Sequence, residues 1–271
     1  MLAALVERGI RADAVYGASA GAMNGAAYAG RPDAAGVEHL DAIWRGISSD
    51  DVFPRGRLAT PWRFFQQREA VHPNDGLRRI VESGLAFERL EDAAVHLEVV
   101  ATSLEDGRVQ WFDSGEAVPR ILASAALPAL LPPVTIDGER FIDGGVVDNV
   151  PLRRAIDQGA QRVFVLLCGP LRFRPPPYAR PVEAIMTAFF IAIHAGFARE
   201  LTQLPPGVEV IVISVDGHPG SGYDDFSGTG SLISTGRTNA LAVLDAWEAS
   251  KAPKAPKAGT AGRTSSLALG G

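Results

Sequence analysis

Residues 16–25 read YGASAGAMNG, and Gly17-Ala18-Ser19-Ala20-Gly21 fits the pattern G-x-S-x-G. A serine hydroxyl becomes a nucleophile when a base takes its proton and nearby donors stabilise the oxyanion its attack creates. The pattern is short, so its context has to carry the reading. Before it lies a strand-like run, 12–16, and after it a helix-like stretch rich in alanine, 20–28. A strand, a tight turn and a helix in that order present a serine above a sheet edge. Its neighbours must then be small, and Gly17, Ala18, Ala20 and Gly21 are. The helix that begins after Ser19 aims its free N–H groups at the hydroxyl. The competing reading is a glycine- and alanine-rich turn that serves only close helix–strand packing.

The usual base would be a histidine. Of the five, His39, His72, His96, His194 and His218, only His218 in SVDGHPG sits in a loop after a strand, and each reads more simply as an ordinary surface or core residue. Asp143, in FIDGGVVDNVPL, is the stronger candidate. It follows a short strand and precedes Gly144 and Gly145, which let the backbone turn and another segment approach. The plainer reading is a turn aspartate. Asp148 and Asn149 suit holding the turn and capping the next helix. No His/Cys cluster has metal-ligand spacing, so neither a metal nor an organic cofactor is expected.

The elements that must position these residues alternate between strand and helix. Helical spacing marks 35–47 through Val37, Leu40, Ile43, Trp44 and Ile47, and further helices are expected at 1–10, 77–85, 118–127, 150–159, 181–203 and about 236–249. Strands are expected at 95–104, 108–114, 134–143 (as two around Asp137-Gly138), 162–168 and 208–215. The last two are continuous apolar runs, as for strands covered on both faces. This pattern implies an α/β domain, a three-layer sandwich around a mainly parallel central sheet, over 1–249. The tail 250–271 has too little apolar surface to pack and is expected to be disordered. The region 49–74 is irregular, and Phe53, Trp62, Phe64 and Phe65 are candidates for an acyl pocket or for plain core.

The chain has 271 residues, 46% hydrophobic and 21% charged, with a net charge of −5. That mild acidity argues against a nucleic-acid binder, which would normally show a basic face. The single cysteine, Cys168, excludes an internal disulfide framework and reads as a small core residue. It fits a reducing, cytoplasmic compartment. The longest apolar stretch, 184–197, is shorter than the ~20 residues of a membrane span and reads as a buried or surface-seeking helix.

Two stretches, YGASAGAMNGAAYA and ASAALPALLPPVTIDGERFIDGGVVDNVPLRRAIDQGA, together resemble the patatin-like lipid acyl hydrolases. That family carries a G-x-S-x-G elbow, then ASxAxPxxxPPV, D-G-G/A and NxP, all present here in order. VVATSLEDGRVQWFDSG is similar to its central pair of strands. The resemblance runs to about residue 169 and more loosely to 249. It implies Ser19 as nucleophile and Asp143 as base in a dyad without histidine, with Gly144 and Gly145 in the D-G-G motif. It implies a lipid or acyl-ester substrate, with transient contact at a membrane surface. Thioester or peptide hydrolysis is another use of the same dyad. The family also has a strand and a glycine-rich oxyanion loop ahead of the helix that corresponds to MLAALVERGI. No such loop precedes Ser19, so Ala20 N–H is the one oxyanion donor expected. Either the start lies further upstream, or the protein is a catalytically impaired, lipid-binding or regulatory relative.

Overall fold

The computed structural model describes residues 1–53, 70, 72–169, 171, 181–215 and 224–251. Trp62, Phe64, Phe65, His218 and the tail from 252 onward, on which expectations were placed above, lie outside the described residues.

The helices are α1 (Leu2–Glu7), α2 (Ala20–Gly30), α3 (Ala34–Gly46), α4 (Ser49–Val52), α5 (Asp75–Gly84), α6 (Ala117–Ser124), α7 (Leu152–Asp157), α8 (Pro181–Leu201) and α9 (Thr229–Lys251). The strands are β1 (Ala14–Gly17), β2 (His96–Ser103), β3 (Val109–Phe112), β4 (Val134–Ile136), β5 (Glu139–Asp143), β6 (Arg162–Leu167) and β7 (Glu209–Ser214). β1 to β5 form one sheet; β6 and β7 form a second.

β2 is the spine of the first sheet. It pairs in parallel with β1 from Ala14↔His96 to Gly17↔Val99. It pairs antiparallel with β5 from Ala101↔Asp143 to Ser103↔Phe141, and antiparallel with β3 from Val99↔Phe112 to Thr102↔Val109. Val99 and Ala101 each have one partner on β3. β1 and β5 therefore share the other edge of β2 and meet end to end on it. Only Val100 separates the last residue of β1 from the last residue of β5 in register. This convergence brings residues 124 apart in sequence, Ser19 and Asp143, to one place.

The α/β class holds, with helices flanking the central sheet. The direction of pairing differs from the expectation of a mainly parallel sheet: β1–β2 and β6–β7 are parallel, and the other three pairings are antiparallel. The reason is local. Asp137 (φ 52°) and Gly138 (φ 87°) form a two-residue turn that folds β4 back on β5, and the short connection 104–108, with Gly107 at φ 71°, folds β3 back on β2.

The main core lies between the first sheet and α2, α5 and α6. Ala22, Ala26 and Ala29 of α2 and Leu97, Val99 and Ala101 of β2 are nearly or fully buried in it. Small residues on α2 let the helix lie close to the sheet. The second sheet has apolar clusters on both faces. Phe164, Leu166, Ile211 and Ile213 pack with Ala4, Leu5, Ala240 and Leu244 of α1 and α9. Val163, Val165, Val210 and Val212 pack with Leu152 of α7 and Phe197 of α8. Alternate residues of each strand thus enter opposite layers, as the continuous apolar runs predict.

Two further expectations need correction. α9 begins at Thr229, about seven residues before the sequence reading, which took the glycines and serines there for a loop. Tertiary contact outweighs their low helix propensity: Gly236 lies against Met1, with space for a β-carbon 3.5 Å from the Met1 side chain. Cys168, one residue past the last β6–β7 pair at Leu167↔Ser214, is exposed as a residue, although burial raises its thiol pKa.

Candidate active site

Ser19 lies between β1 and α2 with φ 54° and ψ −126°, a backbone conformation that non-glycine residues rarely hold. Such strain persists only where the surroundings over-determine it. Here the Ser19 N–H donates to both the carbonyl and the hydroxyl oxygen of Ser124, each at 3.1 Å. Ser124 is fully buried at the end of α6. On the other side, the Ser19 carbonyl accepts from Ala22 N–H at 2.9 Å, the first turn of α2. A β-carbon at Gly17 would lie 2.6 Å from Ala22 Cα and 2.7 Å from the Gly21 carbonyl oxygen. Gly17 is therefore required by the turn itself. Gly21 is not: a β-carbon there meets nothing within 4 Å, so the steric reason given to it from the sequence does not hold. Ala20 heads α2, and its N–H has no backbone acceptor among the described residues. It lies at the positive end of the helix, next to the Ser19 hydroxyl in sequence.

Asp143 is 1% exposed. Its Oδ2 accepts from the Ser19 hydroxyl at 2.6 Å, and its Oδ1 accepts from Gly145 N–H at 2.7 Å. Its backbone is held as firmly. Asp143 N–H donates to the Ala126 carbonyl at 3.0 Å, and the Asp143 carbonyl accepts from the Thr102 hydroxyl at 3.0 Å. Burial pushes the carboxyl up to about 6, against the two hydrogen bonds, which favour its charged form. A carboxylate with that pKa is ionised at neutral pH and basic enough to take a proton during reaction.

The two glycines after Asp143 have separate reasons. A β-carbon at Gly144 would lie 2.2 Å from the Val100 carbonyl, the register position left between β1 and β5. One at Gly145 would lie 2.6 Å from Asn149 Oδ1. The chain then forms a short 3-10 turn, Gly144–Val146. Asp148 and Asn149 do not cap α7, whose N-cap is Pro151 with no side-chain cap. Asn149 instead backs the glycine turn. Burial raises Asp148 to about 6, and burial followed by the Asp148 charge raises Glu200 of α8 to about 7.

The described histidines are engaged elsewhere. His39 Nε2 lies 2.9 Å from the Ser83 carbonyl, His96 Nε2 3.2 Å from Glu98 Oε1, and His194 Nδ1 2.8 Å from the Phe190 carbonyl. His72 packs its ring against Phe53 at 5.0 Å. His96 pairs with Ala14, at the opposite end of β1 from Ser19. Phe53 is buried core beside Phe226. Among the described residues, no group of three or more His, Cys, Asp or Glu could hold a metal ion. Sequence reasoning missed Ser124 and Thr102. Ser124 is the one polar residue in LASAAL, and Thr102 stands beside Ser103 in the otherwise apolar VVATSL; those were the available signals.

A strained serine at a strand-to-helix turn, hydrogen-bonded to a buried carboxylate, is an arrangement from which the serine could act as a nucleophile. The chain belongs to the patatin-like phospholipase family, whose model matches residues 1–156. It is 28% identical over 182 residues to lysophospholipase nte1 of Neurospora crassa, covering 65% of this chain and 11% of that protein. It is 29% identical over 177 residues to lysophospholipase NTE1 of Yarrowia lipolytica, covering 62% and 11%. The chain thus spans about a tenth of the length of these curated relatives. Among solved structures it has a loose likeness to VipD from Legionella pneumophila, with a TM-score of 0.43 and 16% identity over 90% of this chain and 64% of that one.

Proposed function

We propose that this chain is a lipid acyl hydrolase of the phospholipase A or lysophospholipase type, working through Ser19, Asp143 and an acyl-enzyme. The family and its lysophospholipase relatives support a lipid-ester hydrolase. The observation that carries the finer reading is the 2.6 Å hydrogen bond from the Ser19 hydroxyl to Asp143 Oδ2.

In the first half-reaction Asp143 takes the hydroxyl proton as Ser19 Oγ attacks the acyl carbonyl. The tetrahedral oxyanion meets Ala20 N–H and the positive end of α2. Collapse expels the alcohol, which takes the proton back from Asp143. In the second half-reaction Asp143 activates water, which attacks the acyl-enzyme and releases the fatty acid. Gly145 N–H holds Oδ1 throughout, so that Oδ2 keeps facing the nucleophile. The water-insoluble substrate implies transient contact with a lipid surface.

The test is hydrolysis of lysophosphatidylcholine, and of p-nitrophenyl butyrate as a soluble ester, by the wild type and Ser19→Ala. Turnover that depends on Ser19 supports the reading. A folded wild type that hydrolyses neither ester would return the chain to a non-catalytic role.

A further inference from the structure

The inference concerns α8 and rests on the lipid-ester reading. Between Glu183 and Arg199 this helix carries no Asp, Glu, Lys or Arg. A helix on the surface of a globular protein ordinarily turns polar residues outward. Over most of its length α8 does not: its exposed positions between 184 and 198 include Ile185, Ala188, Phe190, Ile191, Ala192 and Ala195. Ile185 is 57% exposed and Ile191 47%. The helix is longer than the apolar stretch 184–197 read from the sequence: by length and composition Glu183–Leu201 would suffice to cross a membrane, yet only 17% of its most apolar window is buried within the protein.

Its place in the fold gives this face a purpose. α8 packs on the 3-10 turn Gly144–Val146 that directly follows Asp143. Val146 and Val147, on and after that turn, are exposed as well. The apolar stripe of α8 and the two valines thus belong to elements that adjoin the turn following the carboxylate paired with Ser19. We propose that the outward face of α8, with Val146 and Val147, is the surface by which the protein docks on a lipid aggregate.

The occupant is a lipid surface rather than a second copy, for two reasons. Interfaces between proteins carry hydrogen bonds and anchors such as Tyr, Trp and Arg. The exposed positions from 185 to 195 are Ile, Ala and Phe, whose side chains make no hydrogen bonds, and the half-buried His194 among them turns its ring to the Phe190 carbonyl. Apolar area alone is what a lipid surface asks of a docking helix. The second reason is the substrate. A lipid ester resides in an aggregate, and the face that holds Asp143 has to meet it. α8 lies on that surface rather than spanning it, because Phe197 is committed to the cluster with Leu152 and Val165.

The experiment is cosedimentation with phosphatidylcholine vesicles, using Ser19→Ala as the background so that binding is read without turnover. The double variant Ile185→Glu/Ile191→Glu should lower partitioning by at least about tenfold. In the Ser19 background it should slow hydrolysis of vesicle-borne phospholipid to a similar degree and leave p-nitrophenyl butyrate hydrolysis unchanged. Ala188→Glu/Ala195→Glu tests the same stripe with a second pair, should the first alter the circular dichroism. Equal vesicle binding by wild type and both double variants overturns the proposal. So does a wild type that ignores vesicles and self-associates through these residues. If p-nitrophenyl butyrate is not hydrolysed at all, the hydrolase reading fails while vesicle binding still decides the docking face.

Discussion

Gly17 and Gly144, beside the candidate site, do different work from the glycines around the β6–β7 sheet. At Gly17 and Gly144 a β-carbon would lie 2.6 Å or less from backbone atoms of Ala22 and Val100. At Gly159, Gly169, Gly196 and Gly207, around the β6–β7 sheet, a β-carbon meets nothing within 4 Å. The first region spends its packing on holding two side-chain atoms at hydrogen-bond distance. The second has no such atoms to hold; it supports a helix whose exposed face is apolar. Position is demanded of one region and surface of the other.

The largest effect that tests this contrast is on turnover. Asp143→Asn should lower kcat by about 10²–10⁴, the usual contribution of a positioned base, with the fold retained. The amide oxygen can still accept from Gly145 N–H, and its NH₂ can donate to Ser19 Oγ, so the shape survives and the basicity does not. Near-normal kcat would mean that the carboxylate is structural. Next comes a pair of glycine substitutions compared by urea unfolding. Gly144→Ala should destabilise by about 3 kcal/mol or more, because the Val100 carbonyl cannot yield without moving β2. Gly196→Ala, on open helix, should be neutral or stabilise by up to about 1 kcal/mol. Equal effects would erase the distinction between the regions.

How far the site could be read from sequence follows from the same contrast. Ser19 and Asp143 were legible because each sits in a motif whose small residues answer a local need. Gly17 and Gly144 confirm that need by their contacts, whereas Gly21, equally prominent in the motif, has open space around it. The convergence of β1 and β5 on one edge of β2 was not legible, since register is set by pairing across the sheet. Ser124 and Thr102 were given no role for a related reason: a polar residue in an apolar run marks the position, but the distant backbone it bonds to is set by the fold. Mixed strand direction comes from two tight turns, at 104–108 and at Asp137-Gly138, whose consequence for the sheet the expectation of a mainly parallel sheet left out.

A smaller effect concerns pH. Asp143 has its folded pKa raised by burial from 3.8 to about 6. The folded state therefore binds its proton more tightly than the unfolded state does. The stability associated with this group is complete below about pH 3.8 and is lost as pH rises through 6. That difference corresponds to about 3 kcal/mol at most. Asp143→Asn should thus be more stable than wild type at pH 8 and gain nothing at pH 3.5, as read by thermal melting at the two pH values. A gain of the same size at both would show that ionisation of Asp143 is not the cause. Smaller again, Thr102→Val should cost about 1 kcal/mol by removing the bond to the Asp143 carbonyl. A cost of several kcal/mol would give Thr102 a larger share in holding the site.

The central claim is that Asp143 activates Ser19, and covalent labelling tests it most directly. A fluorophosphonate reacts with an activated serine hydroxyl and leaves an adduct that peptide mass spectrometry can place. The expected result is one adduct, on Ser19, absent from Ser19→Ala and formed at least about 10²-fold more slowly in Asp143→Asn. An adduct on another residue, or labelling of Asp143→Asn at the wild-type rate, would contradict the account.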